Sequence, residues 1–354
     1  MTEGDPGRMS GGFLYHRRVA DRAGANDATV RFASVPRRPF PVASVDGPAV
    51  MRQAVAGADV VVVDSLASNT LGPWLAAGLA RRAPIVGSVH QDLGGIDGGR
   101  LRGVVQTRFD RMAWRRATHL IVASELLAAE LVAGGLRRDE MTVVPPGRDV
   151  PGAEAPGPDG PGPDLRHGRA AALLCVGNWL ARKGITEVLE ALTQVPERSV
   201  TLHLVGDEDV DDGYRRRVLD LLGQPGLTGR VVRHGVVDPG QMRGLYAAAD
   251  AFVLASTVEP YGTVYGEAMT AGLPVIGWAA GNLPHLADDG VEGRIVTTGD
   301  VEGLAAAMDA VATDEVLRTR LGAAALARSG ALPTWDQTAA QFFDVCRRAA
   351  GAGR

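Results

Sequence analysis

Cysteine and lysine are the scarcest informative residues in this 354-residue chain: two of the first, Cys175 and Cys346, and one of the second, Lys183. Two thiols are too few for a metal site built from cysteine alone, and no C-x-x-C pair occurs, so thiol redox chemistry has no footing. Both cysteines lie in apolar patterns and read as reduced core thiols of a cytoplasmic protein. No apolar run approaches 18 residues, so no membrane-spanning helix is expected. The opening MTEGDPGRMS has no apolar core of the kind a secretory signal needs. Serine-hydrolase elbows, zinc-protease H-E-x-x-H and the G-x-x-x-x-G-K-[ST] phosphate loop are all missing. Charge of one sign is also in short supply. The net value is −4, with +4 in residues 1–150 and −8 in the rest, too little basic excess for nucleic acid.

What is present is 45% hydrophobic residues in two series of short runs. The first comprises residues 29–35, 59–64, 84–89, 119–123 and 141–144, with helical patterns at 71–81 and 124–133 between them. The second comprises 171–176, 199–205, 230–235, 251–254, 274–278 and 293–296, again alternating with helical patterns. Near-continuous apolar strands alternating with amphipathic helices predict parallel sheets covered on both faces. Residues 151–168 are dense in proline and glycine and predict an exposed linker. The expectation is an α/β protein of two Rossmann-like, doubly wound domains facing a cleft: residues 1–150, a linker at 151–169, and 170–354. The first domain lacks an opening apolar strand, since the polar start runs directly into Ser10-Gly11-Gly12 and a helical pattern at 13–23.

Three segments carry chemistry. In Glu259-Pro-Tyr-Gly-Thr-Val-Tyr-Gly-Glu267 two carboxylates flank a glycine loop that opens a helix, with Glu267 expected near its first turn. Helix-terminal amides hold phosphate or hydroxyl oxygens, and carboxylates accept paired bonds from vicinal hydroxyls, which suits sugars and ribose. Alternatively, Glu267 complements a helix dipole and Glu259 is a solvated acid. Gly177-Asn-Trp-Leu-Ala-Arg182-Lys183-Gly184 follows an apolar strand and places paired cations at a helix start, a diphosphate site by charge and dipole together. Its alternative is a turn with surface cations. Against that stands Lys183 itself: where 36 other basic residues are arginine, a retained lysine marks a place for a compact ammonium. Third, His90 ends the run at 84–89, where ligands meet open α/β sheets.

With these residues in view, the chain resembles the GT-B glycosyltransferases of family 4, the retaining, E-x7-E type also called group 1. The E-x7-E element, the EAMTAGLPVIG stretch after it and the AGNLPHLADDGVEGRIVTTGD run carry the resemblance. It is strong over residues 171–328 and fainter over 10–150. It implies that Glu267 binds the nucleotide ribose, and that Glu259 faces the transferred sugar with the amides of Tyr261, Gly262, Thr263 and Val264. It further implies that Arg182 and Lys183 clamp the diphosphate, that His90 lies close to the transferred sugar, and that Gly11 and Gly12 form the loop near diphosphate or acceptor. His285, in the GNLPH loop, is a further candidate for donor contact. Asn178 stands where the family places an arginine. The implied reaction is metal-independent and cofactor-free. Its donor is a nucleotide-diphosphate sugar, and its acceptor is a lipid, natural product or glycan.

Two clusters are read more plainly. The acids of residues 207–212 could bind a hard cation but are expected to be a solvated loop. Arg108, Arg111 and Arg115, with Arg102 and Arg116 nearby, could touch anionic lipid at the inner membrane face but are expected to be a solvated helix face. The rival to an enzyme is a non-catalytic or degenerate sugar-nucleotide-binding protein or partner subunit, supported by the absent first strand and by Asn178.

Overall fold

The computed structural model of the chain describes residues 1–3, 11–36, 42–79, 83–96, 100–149 and 164–352. These form two compact units, Met1–Gly147 with Pro333–Arg354, and Arg148–Leu332.

The first unit runs β1 (Thr2–Glu3), α1 (Gly11–Asp21), β2 (Ser34–Val35), α2 (Gly47–Val55), β3 (Val61–Asp64), α3 (Ser65–Ala76), β4 (Ile85–Val89), α4 (Arg100–Trp114), β5 (His119–Val122), α5 (Glu125–Ala133) and β6 (Met141–Val143). Strands β3-β4-β5-β6 pair in parallel in that order, and β1 pairs in parallel with β2. A first strand is therefore present, contrary to expectation, as a stub. It abuts β3, because the Asp64 amide donates to the Met1 carbonyl (2.9 Å) and Thr2 Oγ1 donates to the Asp64 carboxylate (3.1 Å). Of the run 29–35, β2 covers Ser34 and Val35. A parallel strand is held by its neighbour's main chain, and Ser34 and Val35 are the residues that face Thr2 and Glu3. Helix α3 begins six residues before the expected 71–81, because Asp64 caps it by accepting from the Leu66 amide (3.0 Å).

The last helix of the chain, α13 (Trp335–Ala352), corrects the domain boundary. Its apolar face (Trp335, Phe342, Phe343, Val345) packs into the first unit's core with Tyr15, Val19, Val86 and Ile121, and Thr338 Oγ1 donates to the Pro145 carbonyl (2.9 Å). The second half of the chain therefore does not hold residues 333–354, which belong with its beginning.

The second unit is doubly wound. Its elements are β7 (Ala171–Val176), α6 (Ile185–Gln194), β8 (Val200–Val205), α7 (Asp212–Leu222), β9 (Val231–Gly235), α8 (Pro239–Ala248), β10 (Ala251–Leu254), α9 (Thr263–Thr270), β11 (Val275–Trp278), α10 (Leu283–Leu286), β12 (Gly293–Val296), α11 (Val301–Thr313) and α12 (Glu315–Ser329). The all-parallel sheet has the order β12-β11-β10-β7-β8-β9. Strands β8, β10 and β11 are buried throughout, as expected for a sheet covered on both faces, and β8 buries Thr201 and His203 among its apolar residues. Strand order reverses between β7 and β10, so the carboxyl ends of these two parallel strands form the topological switch point. The second unit opens at Arg148 rather than at 170, and the expected linker lies outside the described residues for 151–163. Residues 164–169 are bonded to the unit: Arg166 pairs with Asp250 (2.6 Å), and His203 Nε2 donates to the Leu165 carbonyl (2.8 Å). Both cysteines are buried free thiols, and burial pushes each up to about 12.

Candidate functional site

The switch point of the second unit gathers most of the residues singled out in the sequence. Beyond β7 the chain turns through Gly177 to a single 3-10 turn, Ala181–Lys183, and enters α6 through Gly184. Beyond β10 it runs through Ser256 to Glu259 and enters α9 through Gly262. The two loops are laced together: the Thr257 amide donates to the Arg182 carbonyl (2.8 Å), and so does Ser256 Oγ (3.0 Å). Gly184 makes this approach feasible. Its φ of +66° suits glycine, and a Cβ there would stand 2.0 Å from the Ala255 carbonyl oxygen.

At the join, the Lys183 ammonium donates to Glu259 Oε2, and Ser256 Oγ approaches the same oxygen at 3.5 Å. Both charged side chains are largely buried, 12% and 14% exposed. The lysine stem passes over Gly177, where a Cβ would lie 3.5 Å from it, in ordinary van der Waals contact. Arg182 lies beside the pair, its guanidinium directed toward the Val258 carbonyl (3.5 Å).

Helix α9 supplies the rest. Gly262, at φ +88°, heads it without a side-chain cap, so the amides of Thr263 and Val264 lie where no earlier turn supplies carbonyl acceptors. Tyr261 is fixed beside them because Asn282 Nδ2 donates to its carbonyl (2.7 Å), and burial raises its phenol to about 12. Glu267 sits one full turn into α9 rather than in the first turn. There it accepts from the Tyr246 hydroxyl at 2.9 Å. Burial and the adjacent carboxylate raise the Tyr246 phenol well above its ordinary value, so it stays a neutral donor. Tyr246, on α8, and Ser256 went unnoticed in the sequence. A single tyrosine in the apolar pattern of α8 gives no local sign of meeting a carboxylate 21 residues on.

The departure at Asn178 has a structural reason. Its Oδ1 accepts from the Asp207 amide (3.0 Å) and ties the β7 loop to the β8 loop, a bond that an arginine, which only donates, cannot make. Most of the 207–212 acids have partners of their own: Glu208 pairs with Arg233, Asp209 with Arg215 (3.1 Å), and Asp211 caps α7. His285 is exposed on α10, and its carbonyl faces Arg328.

His90 belongs to the first unit, immediately beyond β4. Its Nε2 bonds Ser88 Oγ (3.0 Å), its amide donates to Ser65 Oγ (3.2 Å), and its ring meets Tyr15 (4.6 Å between centroids) and His16 (5.1 Å). His16 Nε2 in turn lies 3.2 Å from the Asp64 carboxylate. Burial, with His16 adding to it and Asp64 opposing it, holds the His90 imidazole down to about 3, so it is neutral at physiological pH. Gly11 and Gly12 form the first turn of α1, and Ser10 lies outside the described residues. Nothing local in the sequence points to the His16–Asp64 pair, which long-range folding brings together.

A strand switch point holding a lysine–carboxylate pair, a second hydrogen-bonded carboxylate and open helix amides is suited to a diphosphate and to vicinal hydroxyls. Comparison with known proteins agrees. Residues 165–328 match the family model "Glycosyl transferases group 1" and residues 8–147 the model "Glycosyl transferase 4-like domain". The lipopolysaccharide core biosynthesis glycosyltransferase LpsE of Rhizobium meliloti is 35% identical over 152 residues, 43% of this chain and 42% of that protein. The D-inositol 3-phosphate glycosyltransferase of Xylanimonas cellulosilytica is 32% identical over 177 residues, 50% of this chain and 42% of that protein. The chain thus spans about two fifths of the length of these relatives. Two solved structures share the fold over nearly the whole chain. Anabaena Alr3699/HepE in complex with UDP and glucose has a TM-score of 0.78 at 20% identity, covering 98% of each chain. The sucrose-phosphate synthase of Thermosynechococcus elongatus has 0.79 at 21%, covering 99% of this chain and 100% of that one. Two matching family models, the doubly wound second unit and the residues at its switch point together make this chain a member of the group 1, family 4-like glycosyltransferases of GT-B fold.

Proposed function

We propose that the protein transfers a sugar from a nucleotide-diphosphate sugar to an acceptor hydroxyl with retention of anomeric configuration, without a catalytic metal. The observation that carries this reading is the Lys183–Glu259 pair at the β7/β10 switch point, with Glu267 and the head of α9 alongside. Bond cleavage at the anomeric carbon loads negative charge on the leaving diphosphate and positive character on the sugar. Lys183 has donors beyond the one given to Glu259, and with Arg182 and the Thr263 and Val264 amides it is placed to meet that negative charge as it grows. Glu259 accepts from hydroxyls of the transferred sugar, and Glu267, fixed by Tyr246, accepts from the ribose. Neither acts as nucleophile. The leaving phosphate oxygen takes the acceptor's proton on the face that the sugar leaves.

His90, neutral in its setting, donates or accepts a hydrogen bond rather than serving as a cationic acid. We assign it to the transferred sugar, and the first unit to an acceptor that is a lipid, a natural product or a glycan. Two buried thiols suit a reducing, cytoplasmic setting. Among the described residues no helix is long and apolar enough to cross a membrane.

The test is a thermal-shift series with UDP, GDP, ADP and CMP and their sugar conjugates. A ligand at about 100 times its Kd adds about 2.7 kcal/mol, a readable shift. One nucleotide should shift the wild type and the His90→Ala variant alike, while Glu267→Ala should lose at least about tenfold in affinity, about 1.4 kcal/mol. His90→Ala should lower transfer alone. Unchanged nucleotide affinity in the Glu267 variant, or no shift with any nucleotide, overturns the assignment. The degenerate-binder reading fails if the purified chain turns over a sugar nucleotide, even by slow hydrolysis.

A further inference from the structure

Helix α4 presents a face that the glycosyl-transfer reading leaves unused. Arg102, Arg108, Arg115 and Arg116 are exposed along it and just past its end, and Arg111 is half-buried among them. None of these five guanidiniums has an ion-pair partner among the described residues. Other arginines of the chain do find carboxylates: Arg22 with Asp336, Arg138 with Glu125, Arg166 with Asp250, Arg233 with Glu208. The helix's single acid, Asp110, is turned inward, accepting from Ser68 Oγ (2.6 Å) and the Gly94 amide (2.9 Å), so it neutralises nothing outside.

The same face carries Val104, 71% exposed, and Val105, 43% exposed, one turn before Arg108. A purely solvated helix face gains nothing from showing two large valines. Surrounded by unpaired guanidiniums, they make a combination that is basic and apolar at once. Residues at 104, 108, 111 and 115 follow helical spacing and share one side of α4. Together they line a shallow concavity with Phe109 and Met112.

We propose that this face of α4 docks on an anionic lipid surface. Arginine pairs bidentately with phosphodiester headgroups, and the valines enter the boundary between headgroups and acyl chains, which no acidic soluble protein offers. Charge complementarity supplies long-range attraction and the valines supply the short-range selectivity for lipid. The face is formed wholly within the first unit and owes nothing to the donor site. Its function is to hold the enzyme where lipid-borne hydroxyl acceptors are concentrated.

Vesicle co-sedimentation of the full chain tests this without any donor present, so it succeeds or fails independently of the donor reading. Vesicles of phosphatidylcholine alone and with about a third phosphatidylglycerol are compared at low salt and at about 0.5 M salt, where exposed charges are screened. Binding is expected to the anionic vesicles only, and release by salt. Arg108→Glu with Arg115→Glu should weaken it by about a hundredfold or more, since two attractions become two repulsions. Val104→Asp with Val105→Asp should cost at least about tenfold. Both substitutions lie at exposed positions and should leave the melting temperature and nucleotide binding as in the wild type. Equal binding to neutral vesicles, or none to anionic ones, overturns the proposal. So does a valine pair whose change has no effect while charge reversal abolishes binding, which assigns the face to an acidic macromolecule instead.

Discussion

Lys183 shows how much one side chain can concentrate. An ammonium on a flexible stem passes the backbone at Gly177, reaches Glu259, and still has donors left for a phosphate. A compact ammonium with rotatable donors can serve the carboxylate and a phosphate together in a way that a planar fork cannot copy, which is a physical reason for the single lysine in an arginine-rich chain. Asp110 shows a different economy of charge. Burial, and Asp92 nearby, raise its carboxyl to about 6 although Ser68 and Gly94 both donate to it. A carboxyl with a raised folded-state value favours folding while it is protonated, and that advantage fades as pH rises toward 6. His90 has the opposite slope, since its imidazole is held down to about 3: that group's contribution grows as pH rises toward the ordinary histidine value. In the wild type the two slopes offset one another between about pH 4 and 6. Asp110→Asn removes one of them. Its unfolding free energy, from urea titrations across this range, should therefore climb with pH by about 1.4 kcal/mol per unit relative to wild type, then run parallel above pH 6. Parallel curves throughout would contradict an Asp110 that titrates near 6.

At the level of elements, the strands were the most readable feature. Runs such as 171–176 and 251–254 are apolar at every position, and burial on both faces of a parallel sheet demands that. Where reading failed, the missing information was a partner. The run at 29–35 has strand-forming composition, yet it forms β2 only where β1 lies opposite. Helix α3 starts early because a side chain at the end of β3 caps it. Glu259 and Lys183 were legible as separate motifs. Their meeting depends on the β7/β10 adjacency, which is long-range and leaves no local pattern. The Glu267–Tyr246 bond was invisible for the same reason. The close contact of Gly184 with Ala255 gives a test of how tightly these loops are joined. Gly184→Ala would force a Cβ against a carbonyl oxygen in a left-handed conformation, so we expect a loss of about 2–4 kcal/mol in thermal unfolding of the second unit. A loss below about 1 kcal/mol would mean that the loop slides aside.

For the whole molecule, the return of α13 to the first unit matters most. Its periodicity marks a helix with one apolar face, but nothing local says which of two sheets that face will cover. Trp335, Phe342 and Phe343 fill space beside Tyr15, Val86 and Ile121, so removing residues 333–354 should leave the first core open. A chain ending at Leu332 should keep slow amide exchange at Leu173 and Phe252 while exchange at Val86 and Ile121 becomes fast. Equal protection in both units would show that α13 is dispensable.

The same arrangement orders events during synthesis. The ribosome releases the chain from its amino end, and domains generally fold as units while it emerges. Here the first unit is begun before the second and completed after it: its core waits for a helix encoded beyond the whole of the second unit. The second unit is one uninterrupted stretch, Arg148–Leu332, and can close while the opening half is still unsealed. A nascent chain stalled short of α13 thus carries a folded second unit joined to an exposed apolar surface, and it is during this interval that the protein has most need of chaperones.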